Sequence, residues 1–451
     1  MEVSKADDLG PSACPAGTGA GSPLGAPSLT DPLIVAHPSE FYRSMRKKDP
    51  VYYDPKIGMY LVSRYDDVVT VLRDPITFSD KLGYEALYAS GHFEEFKRIL
   101  ERDGGGFFPD AIKDDPPAHT RVRRLMENAF TAHRVATLEP GITTIVVSLI
   151  ERLAAKAATG EPVDGVNDFA VPLTIAVICE QLGISQVNAQ KIQRWSQAIT
   201  AQISHMQDHK QMLENAEQIC ELQNFIIAEM KAREHEPRED MISDIVHARL
   251  EDGGRLTFKE AVSLIRALII AGNETTATAI GNLLFVLATQ PDLAKMLRAS
   301  IDDDRFLSRF VEELLRVEPP VRGLAKMTTR EVELGGRLLP NRAHLLVLYA
   351  SGNDDETVFE CPRRFDLNRS NLSKHVAFGV GVHRCIGASL SRMEIKVAAR
   401  EITRRIDNIK LAVPVEEIQY LPTIATRTIR QLPLSLMRRV RAASQTNPPN
   451  S

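Results

Sequence analysis

The sequence has no run of roughly 18 uninterrupted apolar residues, which is the length that a membrane-spanning helix requires. It also has no targeting segment, because residues 1–30 carry acidic residues followed by Gly, Ala, Pro and Ser instead of a basic start and an apolar stretch. These two absences predict a soluble, cytoplasmic protein. The composition of the ends predicts a disordered leader over residues 1–35 and a flexible tail over residues 441–451.

The sequence also has no strong excess of charge of one sign. Lys and Arg number 55 and Asp and Glu number 59, which gives a formal net charge of −4. A chain of this kind lacks the electrostatic footprint of a nucleic-acid-binding protein, so we expect no nucleic-acid partner. The five cysteines lie far apart and form no CxxC pair, which predicts reduced thiols and no disulfide framework.

With 451 residues, of which 43% are hydrophobic, the chain is long enough to bury a large core. From residue 135 to residue 250 the spacing of apolar residues is nearly all helical, and residues 257–289 predict one long helix with Thr257 at its N-cap. β-type patterns are confined to short runs near residues 51–62 and 328–348. The pattern therefore indicates a mainly α protein with a smaller β region.

The segment FGVGVHRCIG, residues 378–387, combines three glycines with a cysteine. The glycines allow positive φ angles and a close backbone approach to a flat or bulky group. Helical spacing of apolar residues starts at Ile386, so Cys385 lies where this loop becomes a helix. A helix N-terminus favours a thiolate, which is a good ligand for iron. A lone cysteine is more often buried and unreactive, so this interpretation depends on the wider pattern.

That wider pattern, Phe-x-x-Gly-x-His-x-Cys-x-Gly, resembles the cysteine-ligand loop of the cytochrome P450 family, and all five fixed positions match. The resemblance covers residues 38–437 and implies the P450 fold, with a single haem domain over residues 36–440. It implies haem b as the cofactor and Cys385 as the axial ligand of its iron. The other loop residues that would contact the haem are Phe378, Gly379, His383 and Gly387, with His383 on a propionate.

Two further segments resemble propionate-binding parts of the family. Residues 115–123 match Asp-x-Pro-x-His-x-x-x-Arg, which implies that His119 and Arg123 clamp haem propionates. Where the family usually has another propionate-binding arginine, this chain has Lys326, which can pair with a propionate as a point charge. Arg322, four residues earlier, is a second candidate for that role or for binding a substrate carboxylate.

The centre of the long helix, AGNETT at residues 271–276, resembles the family's segment above the haem face. Gly and Thr are poor helix formers, and Thr hydroxyls can bond back to carbonyls, so we expect a break here. The resemblance implies that Ala271 and Gly272 contact the haem and that Glu274 and Thr275 form the catalytic acid–alcohol pair that delivers protons. The alternative is a purely structural kink.

Other candidate residues are structural or line the substrate pocket. Glu313 and Arg316 lie three apart on a predicted helix and can pair; the resemblance implies that this pair is buried and joined by Arg363 or Arg364. Residues 80–113 predict an irregular, apolar loop that caps the pocket or packs on the core. The candidate pocket residues are Leu268, Val321, Arg322 and Leu324.

The resemblance implies a monooxygenase that transfers one oxygen atom of O2 to a hydrophobic small molecule, such as a terpenoid, steroid or aromatic acid. No flavin or iron–sulfur module follows the haem domain, so we expect electrons from a separate ferredoxin and its reductase. Arg121, Arg124 and Arg384 are a candidate docking patch, although solvated surface charge is an equal interpretation. Two alternatives stay open: a peroxide-using enzyme, which Glu274 and Thr275 disfavour, and a non-enzymatic haem sensor or carrier.

Overall fold

The computed structural model describes residues 26–88, 93–127, 130–184, 189–203, 208–250 and 253–438. The helices of this part of the chain are α1 (Pro32–Ala36), α2 (Ser39–Lys48), α3 (Tyr65–Arg73), α4 (Asp80–Tyr88), α5 (Phe93–Asp103), α6 (Ala118–Glu127), α7 (Ala132–Ala136), α8 (Glu139–Ala157), α9 (Val171–Leu182), α10 (Ala189–Ile203), α11 (His209–His235), α12 (Met241–His247), α13 (Phe258–Thr289), α14 (Pro291–Ala299), α15 (Asp304–Val317), α16 (Tyr349–Asn353) and α17 (Ala388–Arg405). The prediction of a mainly α protein is confirmed.

Ten short strands form the smaller β region of the described chain. They are β1 (Val51–Asp54), β2 (Met59–Val62), β3 (Phe78–Ser79), β4 (Val163–Asp164), β5 (Leu324–Thr328), β6 (Val332–Leu334), β7 (Arg337–Leu339), β8 (His344–Val347), β9 (Ile406–Leu411) and β10 (Pro433–Arg438). The largest sheet has the order β1-β2-β8-β5-β3, with β2 and β8 parallel and its other neighbours antiparallel. The other sheets are β4-β10-β9 and the β6-β7 hairpin.

Helix α13 joins the two largest hydrophobic clusters, because its first half packs with α9–α12 and its second half with α8, α15 and α17. Thr257 caps it as predicted: the Thr257 hydroxyl accepts from the Glu260 N–H, and the Glu260 carboxylate accepts from the Thr257 N–H. The predicted break at residues 271–276 is wrong, since the helix is continuous there. Asn273 is hydrogen-bonded to Thr174, and Thr276 is hydrogen-bonded to Ser391. These tertiary contacts outweigh the poor helix propensity of the segment.

The predicted irregular loop over residues 80–113 is also wrong, because α4 and α5 occupy most of it. One glycine of this segment, Gly83, has a packing role. A Cβ at Gly83 would lie 2.5 Å from the Cα of Lys326, so glycine lets α4 lie directly on β5. In α5, Phe96 and Leu100 recur at helical spacing and are buried against the cluster that contains α11.

The N-terminal boundary of the domain lies earlier than predicted. Leu29 is fully buried beside Phe41 and Tyr42, and its N–H donates to the Asp54 carboxylate at 2.9 Å. The segment from residue 26 to 35, which we assigned to the leader, therefore belongs to the folded unit. Residues 1–25 and 439–451 lie outside the described residues, so disorder there stays a prediction.

Two further sequence expectations concern membranes and cysteines. No helix within the described ranges is long and apolar enough to cross a membrane. Cys179, Cys220 and Cys385 are free thiols. Cys361 is disulfide-bonded, so the expectation that all cysteines are reduced is wrong for this residue.

Candidate haem site

A backbone hydrogen bond closes the loop before α17, from the Cys385 N–H to the Phe378 carbonyl at 2.9 Å. Gly379 and Gly381 adopt φ angles of 66° and 78°, a region that other residues seldom occupy. A Cβ at Gly381 would lie 2.4 Å from the carbonyl oxygen of Leu72, so α3 packs directly against the loop. Both glycines are therefore needed for the loop to form.

The Phe378 ring is held in place by an ion-paired arginine. The Arg392 guanidinium lies over this ring, 4.4 Å from its centroid. Glu312 accepts hydrogen bonds from Arg392 (2.9 Å) and contacts His375 (2.8 Å). Burial alone would raise the pKa of Glu312, but the hydrogen bonds with His375 and Arg392 and their charges lower it by more, to about 2. The carboxylate thus stays charged and fixes Arg392.

The surroundings of the Cys385 thiol determine its pKa. The surrounding protein raises the pKa of this thiol by burial. The residue Cys385 is nevertheless exposed. The Gly387 N–H and the charge of Arg123 lower the pKa by less than burial raises it, so in the protein without haem burial outweighs the helix N-terminus that favours a thiolate. Iron reverses that balance, because a coordinating thiol is deprotonated. Ala271 of α13 is likewise exposed although its helix is mostly buried.

The predicted propionate-binding residues converge beside this loop. The rings of His119 and His383 lie 4.0 Å apart, and Arg123 donates to the carbonyl of Arg384. Burial lowers the pKa of His383, and the neighbouring charges of His119, Lys326, Lys113 and Arg123 lower it further, to about 2. The cluster therefore has an excess of positive charge and excludes a further proton.

Two buried nitrogens in this cluster, Nδ1 of His119 and Nε2 of His383, have no hydrogen-bond partner. Buried polar atoms are rarely left unpaired, so the cluster requires acceptors that carry negative charge. The two propionates of a haem meet both requirements. An accessible cysteine thiol and an accessible helix face at Ala271 supply the remaining features of the site, so the residues present fit a haem.

Asp80 is a member of this cluster that the sequence did not reveal. Its carboxylate forms an ion pair with Lys326, and its Oδ2 lies 3.2 Å from His383 Nε2 without hydrogen-bond geometry. Lys326, only 1% exposed, is thus already paired, which weakens its predicted role as an independent propionate ligand. Asp115 fixes Asp80 by accepting its backbone N–H at 3.0 Å. The close approach of α4 to β5 brings Asp80 and Lys326 together.

Oxygen and nitrogen atoms of Asp80, Asp115 and His383 also lie within 4.8 Å of one another, as metal ligands do. Two of these groups already have protein partners, since Lys326 pairs with Asp80 and the Ser79 hydroxyl donates to Asp115. A divalent cation would also add positive charge to a cluster in which several basic groups already surround His383. The arrangement therefore fits anionic propionates better than a metal ion.

The predicted proton-delivery residues, Glu274 and Thr275, lie at the centre of α13. The Thr275 hydroxyl donates to the Ala271 carbonyl at 2.9 Å, one turn earlier. Glu274 accepts a hydrogen bond from Thr200 of α10, a partner that the sequence did not reveal. Burial raises the pKa of Glu274 to about 7, and the Thr200 hydroxyl limits that rise. Glu274 can therefore hold or release a proton at neutral pH.

Glu313 and Arg316 form the predicted buried pair, with two contacts of 2.8 Å. The third member is Arg369, whose Nε lies 3.0 Å from the Glu313 carboxylate. The prediction of Arg363 or Arg364 is wrong: Arg363 pairs with Glu318, and Arg364 contributes its backbone carbonyl to the other two arginines.

The candidate pocket residues separate into two groups. Leu268, Val321 and Leu324 are half-buried, as pocket-lining apolar residues would be. Arg322 is 1% exposed and donates to the Val35 carbonyl at 3.2 Å, in a cavity that none of the haem-cluster residues lines. Its predicted role toward a propionate or a substrate carboxylate is therefore not supported.

Known proteins share both the sequence and the fold. The sequence model described as Cytochrome P450 matches residues 109–407. A Bacillus subtilis protein named Cytochrome P450 is 32% identical over 88% of this chain and 93% of its own, and 6-deoxyerythronolide B hydroxylase of Saccharopolyspora erythraea is 30% identical over 88% and 95%. The solved structure of cytochrome P450 CYP109Q5 from Chondromyces apiculatus matches with a TM-score of 0.78, at 32% identity over 91% of this chain and 98% of that one. The chain belongs to the cytochrome P450 family of haem-thiolate monooxygenases.

Proposed function

We propose that this monooxygenase hydroxylates, or oxidises in a related way, a hydrophobic small molecule with electrons from a separate ferredoxin and its reductase. The observation that carries the proposal is the cluster of His119, Arg123 and His383 beside the Cys385 loop, in which two buried histidine nitrogens have no hydrogen-bond partner. The cytoplasmic location expected from the sequence stays a prediction.

In this proposal Cys385 is the iron ligand, and His119, Arg123 and His383 hold the propionates. When bound, a haem with a thiolate ligand supplies the electron density that favours cleavage of the O–O bond. Asp80 holds Lys326 in place through an ion pair and neutralises its charge. The net positive charge of the cluster is therefore smaller than the number of its basic residues. The half-buried Leu268, Val321 and Leu324 are proposed to contact the substrate.

The Thr275→Ala variant should uncouple electron use from product formation. The reduction of O2 to water and product consumes protons, and Thr275 directly follows the proton-holding Glu274 in α13. We expect NADH consumption to continue while hydrogen peroxide replaces most of the product. Thr289→Ala is the matched control, because Thr289 makes the same bond to a carbonyl one turn earlier, at the far end of α13. Wild-type coupling in Thr275→Ala would show that the hydroxyl is structural.

The pH dependence of coupling should report the pKa of Glu274, which is about 7. Glu274→Gln should abolish that inflection, and Thr200→Val should move it upward, because the Thr200 hydroxyl lowers this pKa.

The pH dependence of folding stability gives a second readout. The folded protein keeps this proton to a higher pH than the unfolded chain does, so stability falls as the pH rises toward 7, and Glu274→Gln should lose that fall. Unchanged pH profiles in both variants would remove Glu274 from the proton route.

Substrate and electron donor are tested together. A panel of macrolactones, alkylphenyl phosphates, terpenoids, steroids and aromatic acids is first screened for a shift of the haem absorption band. Each ligand that binds is then offered with either a ferredoxin system or hydrogen peroxide. Faster turnover with ferredoxin supports the proposal. Faster turnover with peroxide would favour the peroxide-using alternative, and binding without any oxidised product would favour a sensor or carrier.

A further inference from the structure

A second cavity, of about 260 Å³, lies apart from the haem cluster, between the N-terminal helices and the end of α15. Its wall includes the turn from α1 into α2, residues 36–40, and the segment 317–319 after α15. The remaining lining residues are Tyr42, Arg322, Ala350, Asp354, Arg363 and Arg427, of which all but Ala350 are polar or charged. None of the residues that we assign to the haem or to proton delivery lines this cavity.

The polar atoms of this wall are incompletely paired. Nε and Nη1 of Arg322, the Tyr42 hydroxyl, Oδ1 of Asp354 and Nε of Arg427 are buried and have no hydrogen-bond partner. The described part of the chain has six other buried side-chain atoms of this kind, two of them in the haem cluster, and these five belong to residues of one cavity. Arg322 is 1% exposed and Tyr42 2%, so bulk solvent does not satisfy them.

The charges around the cavity leave Arg322 without a counterion. Glu318 is shared by Arg363 and Arg427, and Asp354 lies 3.7 Å from Arg46. Glu40 pairs with Arg43 at the surface. No acidic side chain within the described ranges pairs with Arg322, whose Nη2 donates only to the Val35 carbonyl.

The guanidinium of Arg322 cannot become neutral by losing a proton at ordinary pH. Burial lowers the pKa of Arg322, which shows the cost of keeping its charge, but the group stays a cation. The field at the nearby Tyr42 hydroxyl is also positive: the charges of Arg322, Arg427 and Arg363 lower the pKa of this hydroxyl, and among charged groups only Asp354 opposes them. The cavity therefore needs an occupant that accepts hydrogen bonds and brings negative charge.

We propose that this cavity binds a small carboxylate anion, which accepts one hydrogen bond from an unpaired N–H of Arg322 and one from the Tyr42 hydroxyl. The Nε–H and the Nη1 group lie on different edges of the guanidinium, so one carboxylate oxygen bonds to Arg322 and the other to the Tyr42 hydroxyl. Water alone would satisfy the hydrogen bonds but not the charge. The volume limits the ligand to a small anion, with or without accompanying water.

The test uses haem-loaded protein in a zwitterionic buffer of low ionic strength, with sodium formate as the probe. The unfolding temperature is measured as formate is added, and the Soret band is recorded at each step. Wild type should show a saturable rise in unfolding temperature with an unchanged Soret band, because the anion binds away from the haem. Arg322→Leu should require at least about tenfold more formate for half of its effect.

Two further variants separate the site from general effects of salt. Tyr42→Phe keeps the ring and removes one donor, so it should weaken the formate response less than Arg322→Leu does. Arg102→Leu is the control, since Arg102 is an exposed arginine that pairs with Asp103 and does not line the cavity, and it should respond like wild type. In the absence of formate, Arg322→Leu should unfold no earlier than wild type, because it removes an unneutralised buried charge.

Three results would overturn the proposal. The first is the absence of a saturable formate effect in wild type, which means that water fills the cavity. The second is an equal response in Arg322→Leu and in wild type. The third is a shift of the Soret band in parallel with stabilisation, which places formate at the haem. None of these results bears on monooxygenation, because no readout depends on turnover.

Discussion

Replacing Cys385 with serine should abolish the haem-thiolate signature and the activity. Serine is a harder and far less acidic ligand than cysteine, so it does not supply the thiolate that iron and O–O cleavage require. The reduced protein with carbon monoxide should lose the red-shifted Soret band that a thiolate ligand produces. Substrate oxidation driven by the electron donor should fall to background.

The control for this variant is Cys220→Ser. Cys220 is a buried free thiol whose sulfur lies 3.8 Å from the carbonyl of Ile99, a position where a serine hydroxyl can donate. Burial raises the pKa of Cys220 to about 11, so it stays a neutral thiol. Cys220→Ser should keep both the Soret band and the activity. Persistence of the thiolate band in Cys385→Ser would mean that the ligand assignment is wrong.

Replacing Glu313 with alanine should cost about 3–5 kcal/mol of folding free energy, because it leaves two buried guanidinium groups without their acid. Arg316 and Arg369 both bond to this carboxylate, and the backbone N–H of Asp366 donates to it at 2.8 Å. Arg369 also holds the carbonyls of Glu360 and Arg364, in the segment that leads into the cysteine loop. Haem retention should therefore fall together with stability.

Denaturant unfolding of the haem-loaded protein measures this loss. Glu40→Ala is the matched control, since Glu40 and Arg43 have the same Glu-x-x-Arg spacing but lie at the surface. Exposed pairs contribute about 0–1 kcal/mol, so the control should unfold almost as wild type does. Equal and small losses in both variants would show that the Glu313 pair is not a structural centre.

The sequence predicted the parts of the site that depend on local spacing. Cys385 and His383 belong to one loop, and His119 and Arg123 lie one helical turn apart, so a short motif contains their geometry. Glu313 and Arg316 likewise share a helix face. In each of these cases a few consecutive residues determine which side chains meet.

Partners from distant segments could not be read from local spacing. Arg369 reaches Glu313 from 56 residues away, and Asp80 reaches Lys326 across 246. The second contact depends on Gly83, which we interpreted as a sign of an irregular loop but which allows α4 to lie on β5. Thr200 meets Glu274 only because α10 packs across α13. Tertiary packing decided each of these contacts, and no pattern in the neighbouring sequence indicated them.

Arg322 shows the same limit in another way. Its position in the segment after α15 suggested a pocket-lining residue, but its side chain is directed toward the carbonyl of Val35 in the N-terminal segment. We had assigned that segment to a disordered leader. Residues 26–35 fold onto the domain and bring the Val35 carbonyl to Arg322, next to the cavity wall that residues 36–40 form.

The central claim, that the protein transfers one atom of O2 to its substrate, is tested most directly by isotope labelling. The wild-type enzyme is supplied with ¹⁸O₂, a ferredoxin system, NADH and a ligand found in the absorption screen, and the product is analysed by mass spectrometry. The account predicts a product that carries one labelled oxygen atom. A product that acquires its oxygen from unlabelled hydrogen peroxide or from water, with none from ¹⁸O₂, would contradict it.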